Sequence, residues 1–209
     1  MARPAARLLP VLAPHRPEAA VVVLHGGGSR PGGPRVSPTQ LSVLRMRPVA
    51  AEIARAGKGK LAVFRLLNSH RGWDARRTPV DDAHWALGRI RDQLGDVPLG
   101  LVGHSLGGRA ALLTGASPGV RSIVALNPWL SSEDTVDLTG RQVLVVHGDG
   151  DRVASPARSR SFVAAQRAHT DVELVTIEGG KHAMLRHGRR YQRLAADFTR
   201  DTLLGPEIR

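Results

Sequence analysis

Six short runs of the chain, residues 20–24, 61–66, 99–102, 121–126, 142–146 and 172–177, are nearly unbroken in aliphatic residues, and more polar stretches separate them. A strand with one wet face alternates apolar and polar side chains, whereas an unbroken run needs cover above and below. The pattern predicts an α/β fold: a doubly wound, mainly parallel sheet of about six to seven strands, with helices on both faces and right-handed crossovers. Residues 8–12 are the candidate for an added edge strand. One helix is expected to open at Ser37, with Ser37 as cap, Pro38 in the first turn and Gln40 completing a capping box. Pro48 should kink or split it. Further helices are read over residues 81–94, 106–115, 155–167 and 189–203, with Ser155-Pro156 as a start signal. At 209 residues the chain fits one domain able to bury a core without staples. Residues 1–18 read as an N-terminal extension and 19–209 as a single domain.

The run Gly103-His104-Ser105-Leu106-Gly107 joins an apolar strand to a helix-like segment. A sharp turn there lifts the Ser105 hydroxyl clear of the backbone, and glycine on either side avoids a clash. Ser105 is the candidate nucleophile, but a serine hydroxyl is protonated at neutral pH and needs a base and an orienting acid. Both are available at the carboxyl edge, where open α/β sheets place their sites. The run 142–146 ends in His147-Gly148-Asp149-Gly150-Asp151 and the run 172–177 in Glu178-Gly179-Gly180-Lys181-His182. Asp151 is the candidate acid and His182 the candidate base. Asp149 is a rival acid, as are Glu133 and Asp134 after the run 121–126. Donors for an oxyanion are expected from the Leu106 amide and from the turn of Gly26, Gly27, Gly28 and Ser29, which follows the run 20–24.

His104, His25 and His147 read as packing or loop-pinning residues. His147 beside Asp149 and Asp151 invites a metal reading, yet no H-x-x-x-H or H-x-H spacing accompanies it. The glycine-rich residues 26–33 lack the Lys-Ser/Thr of a phosphate loop and contain no G-x-G-x-x-G. No metal and no cofactor is expected. Trp73 and Trp129 sit beyond strands at the carboxyl edge, as walls of a substrate pocket or as packing. Arg30, Arg35 and Arg71 share that edge, where they either attract a carboxylate- or phosphate-bearing substrate or stay solvated.

The formal charge is +12, from 30 basic and 18 acidic residues. The arginines are dispersed without an arm or basic heptads, and aromatic residues are 3%, too few for a base-stacking platform. Solvated faces are the expected reading, with no specific nucleic-acid partner and only salt-sensitive attraction to polyanions. Cysteine is absent, which rules out disulfides and thiolate zinc sites. Pro4, Pro10 and Pro14 interrupt the start, leaving no signal-peptide core and no membrane span. A cytoplasmic protein is expected, of open oligomeric state.

On H-G-G-G at His25 to Gly28, G-H-S-L-G-G around Ser105, H-G-x-x-D at His147 to Asp151 and G-x-H at His182, the chain resembles the α/β-hydrolase family over about residues 19–203. Its small, lidless esterase-like and dienelactone-hydrolase-like members are the nearest in pattern. The order Ser, Asp, His is the family's order, and the resemblance favours Asp151 over Asp149. It implies a Ser105-Asp151-His182 triad and hydrolysis of a small-molecule acyl substrate: a carboxylic ester first, with thioesterase, lipase and lactone or dienelactone hydrolase as alternatives. A non-catalytic binding module on the same fold is the rival from another class. Two departures follow. The opening antiparallel hairpin should be truncated or absent, and without a long insertion after the run 121–126 there should be no cap domain, leaving a shallow site.

Overall fold

The computed structural model of the chain describes residues 5–28 and 34–205. Its elements are β1 (Arg7–Leu12), β2 (Ala19–Leu24), α1 (Leu41–Ala56), β3 (Leu61–Leu67), α2 (Thr78–Leu94), β4 (Leu99–His104), α3 (Leu106–Thr114), β5 (Val120–Leu126), β6 (Gln142–Gly148), α4 (Pro156–Gln166), β7 (Asp171–Ile177) and α5 (Gly188–Leu204). One seven-stranded sheet runs in the order β1-β3-β2-β4-β5-β6-β7. β1 lies antiparallel to β3 and the other pairs are parallel. All six aliphatic runs are strands, and residues 8–12 fall within the antiparallel edge strand.

Alternation along each strand divides the core in two. Ala20, Val22 and Leu24 of β2 pack with Leu87 and Ile90 of α2, Leu112 of α3 and Phe162 of α4. Ala19, Val21 and Val23 face the other way, onto Met46, Val49 and Ile53 of α1 and Tyr191 and Ala195 of α5. Each fully buried Val or Leu contributes about 1.5–3 kcal/mol, so both faces of the sheet need their helices, and the runs are unbroken for that reason.

Three helix readings change. The first helix starts at Leu41 with Gln40 as its N-cap and no side-chain cap. Ser37 instead closes a turn, its Oγ accepting from the Thr39 amide at 3.3 Å and its carbonyl from the Gln40 backbone amide at 3.2 Å, so Gln40 stands just outside the helix, where its Nε2 donates to Ser42 Oγ at 2.7 Å. Pro48 does not split α1. It is exposed on the helix whose other side buries Val43, Met46, Val49, Ala50 and Ile53, and that packing outweighs the roughly 3 kcal/mol cost of an interior proline. Helix α2 begins at Thr78 rather than 81, because Asp74 accepts from the Thr78 amide at 2.8 Å and Pro79 fits the first turn.

Strand order reverses beside β2, since the chain winds outward to β3 and then returns to β4 on the other side of β2. Leu24 pairs with Gly103 at the carboxyl ends of these strands. A crevice opens at such a switch point, and the segments leaving β2 and β4 line it. Residues 127–141, between β5 and β6, contain no helix, so no cap domain rises there. No helix of the described residues is long and apolar enough to cross a membrane.

Candidate active site

Ser105 stands alone between β4 and α3 at φ 56°, ψ −121°, a region in which a non-glycine residue stores roughly 1–3 kcal/mol of strain. Backbone bonds hold it there. Its amide donates to the Leu126 carbonyl at 3.0 Å, and its carbonyl accepts from Arg109 at 3.0 Å and Trp129 at 3.1 Å. A Cβ on Gly103 would lie 2.1 Å from the Gly107 carbonyl oxygen, and one on Gly107 would lie 2.6 Å from those of Leu24 and His25. Strand, turn and helix can therefore close on one another only with glycine at both positions.

Two loops bring the other expected residues to the Ser105 hydroxyl. His182 Nε2 lies 3.0 Å from Ser105 Oγ, and His182 Nδ1 lies 2.8 Å from Asp151 Oδ2. A carboxylate only accepts, so Nδ1 carries the proton and the Nε2 lone pair faces the hydroxyl. The other Asp151 oxygen accepts from the amides of Val153 at 2.8 Å and Ala154 at 2.9 Å. Burial pushes the Asp151 carboxyl up, but the Ala154 and Val153 amides and the His182 ring outweigh it, and its pKa lies below the ordinary value. The rival acids have other partners. Asp149 accepts from the Gly179 amide at 2.7 Å, tying its turn to the His182 loop. Asp134 pairs with Arg109 at 2.7 Å, and Glu133 is exposed. His147 donates from one ring nitrogen to the Ala154 carbonyl at 3.3 Å, with its Nδ1 2.7 Å from Ser159 Oγ.

Residues that sequence reasoning passed over fix the His182 loop. Asn127, just past β5, is fully buried at φ 42°. Its Oδ1 accepts from the Gly148 amide at 2.9 Å and the Tyr191 hydroxyl at 3.2 Å. Its Nδ2 donates to the carbonyls of Lys181 at 3.2 Å and His182 at 3.3 Å. One amide thus joins the strand end that leads to Asp151 with the loop that carries His182. His104 Nε2 donates to the same His182 carbonyl at 2.8 Å, and burial and the neighbouring His182 ring lower the His104 pKa to about 3. The one local signal was an Asn ending an aliphatic run, since Asn tolerates positive φ better than other side chains.

No protein-family model matches the chain, and no curated protein matches it. Solved structures do. An α/β serine hydrolase without a lid from Xanthomonas campestris superposes with a TM-score of 0.71 at 20% identity, over 97% of this chain and 90% of that one. A protein of unknown function from Agrobacterium tumefaciens, described as a candidate α/β hydrolase, gives 0.73 at 17% identity over 97% and 94%. Est1E from Butyrivibrio proteoclasticus, with ferulic acid bound, gives 0.67 at 16% identity over 94% and 95%.

The chain has the α/β-hydrolase fold. Of the family's opening hairpin, a single antiparallel strand, β1, is present among the described residues. The crevice of this α/β-hydrolase scaffold is a cavity of about 620 Å³ whose lining includes Ser105, Leu106, His182, Gly26, Gly27 and Gly28. Gly26 presses on the serine, where a Cβ would stand 2.9 Å from Ser105 Cβ. Its carbonyl is held by His25, whose Nδ1 donates to it at 2.6 Å while Nε2 accepts from the Asn68 amide at 3.2 Å. Trp73, Trp129 and Arg71 also line the cavity; Arg30 and Ser29 lie outside the described residues. Arg109 was counted among the dispersed charges, yet it is buried. Its guanidinium lies 4.0 Å from the Trp73 ring centre and 5.6 Å from that of Trp129, so the Arg109–Asp134 pair braces both indole walls.

Proposed function

We propose that the protein is a serine hydrolase that cleaves small carboxylic esters through an acyl-enzyme. The unbroken chain of contacts from Ser105 Oγ through His182 to Asp151, at 3.0 and 2.8 Å, carries this reading. His182 removes the Ser105 proton as Oγ attacks the acyl carbon, and Asp151 stabilises the imidazolium that forms. The tetrahedral oxyanion is met by the Leu106 amide, at the first position of α3 where no intrahelical acceptor exists, and by an amide of the 26–28 turn. Loss of one such donor raises the barrier by roughly 2.7–4 kcal/mol. His182 then protonates the leaving alcohol, and water repeats the sequence on the acyl group.

The absence of a cap between β5 and β6 favours small, accessible esters, held against Trp73 and Trp129. A panel of 4-nitrophenyl esters of increasing chain length, a thioester, a lactone and a ferulate ester, the last because Est1E holds ferulic acid, tests the reading. Turnover highest on short carboxylic esters and abolished in Ser105→Ala is expected. Absence of turnover on every member, or undiminished turnover in Ser105→Ala, would overturn it.

A further inference from the structure

Beside the two tryptophans, the same cavity is lined by the start of α1 and the loop after β3, through Gln40, Ser42, Arg45 and Arg71. Among the described residues this stretch is positive without compensation. The N-terminus of α1 has neither a side-chain cap nor an acid in its first turn, which leaves its partial positive charge unanswered. Arg45 lies one turn further along, half-buried, and among the described residues it has no carboxylate within 4 Å. Burial alone holds its guanidinium pKa below the ordinary value. The Nε of Arg71 is buried without any hydrogen-bond partner, and the Arg71 side chain runs beside Gly27, whose Cβ would stand 3.8 Å from Arg71 Cγ. Residues 29–33, which continue from that turn, contain no acidic side chain.

Arg109, in the other wall, shows what a buried guanidinium ordinarily requires: it holds Asp134 at 2.7 Å. A buried donor left unpaired is costly, and the two terminal nitrogens of a guanidinium that faces a cavity match a carboxylate in plane and spacing. We propose that Arg45 and Arg71 form a carboxylate-binding subsite in this cavity, so that the ester cleaved at Ser105 carries a second, ionised carboxylate. The inference rests on the hydrolase reading for the word ester, and on the arginines for the word carboxylate.

Two matched pairs of substrates test it and report which side of the scissile bond bears the anion. Mono-4-nitrophenyl adipate against 4-nitrophenyl hexanoate places it on the acyl side; 4-carboxyphenyl acetate against phenyl acetate places it on the leaving side. In the wild type, kcat/KM for the anionic member of one pair, corrected for uncatalysed hydrolysis, should exceed that for the neutral member by about tenfold or more, the scale of one charge-assisted pair. That ratio should fall by about tenfold in Arg71→Gln and in Arg45→Gln and should shrink as salt is added. Ratios near one in both pairs, or ratios untouched by both substitutions, overturn the subsite. Calorimetry on Ser105→Ala separates the two readings. Monomethyl adipate binding about tenfold tighter than dimethyl adipate, with the difference lost in Ser105→Ala/Arg71→Gln, upholds the subsite even if no ester is turned over. Equal binding of the two beside active hydrolysis of neutral esters removes the subsite and leaves the hydrolase.

Discussion

The turn that carries Ser105 and the loop that carries His182 meet at one contact but are held in opposite ways. The serine turn is fixed by its own neighbourhood: β4 before it, α3 after it, backbone bonds to Leu126, Arg109 and Trp129, and glycines that let strand and helix touch. The histidine loop has no regular structure between β7 and α5. Side chains from elsewhere hold it by its backbone: Asn127 and His104 at its carbonyls, Asp149 at the Gly179 amide. A strained serine thus sits on a rigid frame of strand, turn and helix, while the histidine that contacts it is hung from distant anchors that set its position to within a hydrogen bond.

The strongest way to break this contrast is a substitution in the local frame. Gly103→Ala puts a Cβ 2.1 Å from a backbone oxygen, and neither strand nor helix can move aside. The expected cost is about 3 kcal/mol or more, the upper end for overpacking, read by urea unfolding; a loss under about 1 kcal/mol would mean the turn is softer than its geometry requires. Asn127→Ala should act chiefly on the loop. It leaves the Gly148 amide, the Tyr191 hydroxyl and the Lys181 carbonyl without their partner and the His182 carbonyl with His104 alone, costing roughly 2–3 kcal/mol in unfolding, and it should lower kcat by about tenfold or more as the ring drifts from Ser105. Unchanged kcat in a destabilised Asn127→Ala would show that the loop holds itself.

The effect that is smallest at neutral pH, and that grows only as the pH falls, concerns His104. The unfolded ring takes up a proton near its ordinary 6.5, whereas the folded ring does so only at about 3. Between those values the unfolded state binds more protons, so the contribution of His104 to stability is complete above pH 6.5 and is lost as the pH falls toward 3. The slope is roughly 1.4 kcal/mol per pH unit for one group. His104→Gln keeps a donor for the His182 carbonyl and removes this titration, so its unfolding free energy should depend less steeply on pH than that of the wild type over that window. Parallel curves would show that the folded ring titrates normally.

The same contrast explains what could be read from residues alone. The strands, the serine turn and the order of Ser105, Asp151 and His182 are written in contiguous patterns, each within one strand and the turn after it. Asn127 and His104 act on residues far along the chain, and no local pattern records such a pair. Arg109 looked like one more solvated charge because its meaning lies in Asp134, Trp73 and Trp129, which only the folded sheet brings together. At Ser37 and Pro48 local preference loses, to the turn that Ser37 closes with Thr39 and Gln40 in one case and to the buried face of α1 in the other.

The rate at which a fluorophosphonate phosphonylates the protein with loss of fluoride, with the modified residue identified by peptide mapping, tests the central claim most directly. Wild type should be labelled at Ser105, and His182→Ala should react slower by about 10⁴-fold or more, the scale on which a nucleophilic serine depends on its base. Labelling at another residue, or equal rates in the two proteins, would contradict it.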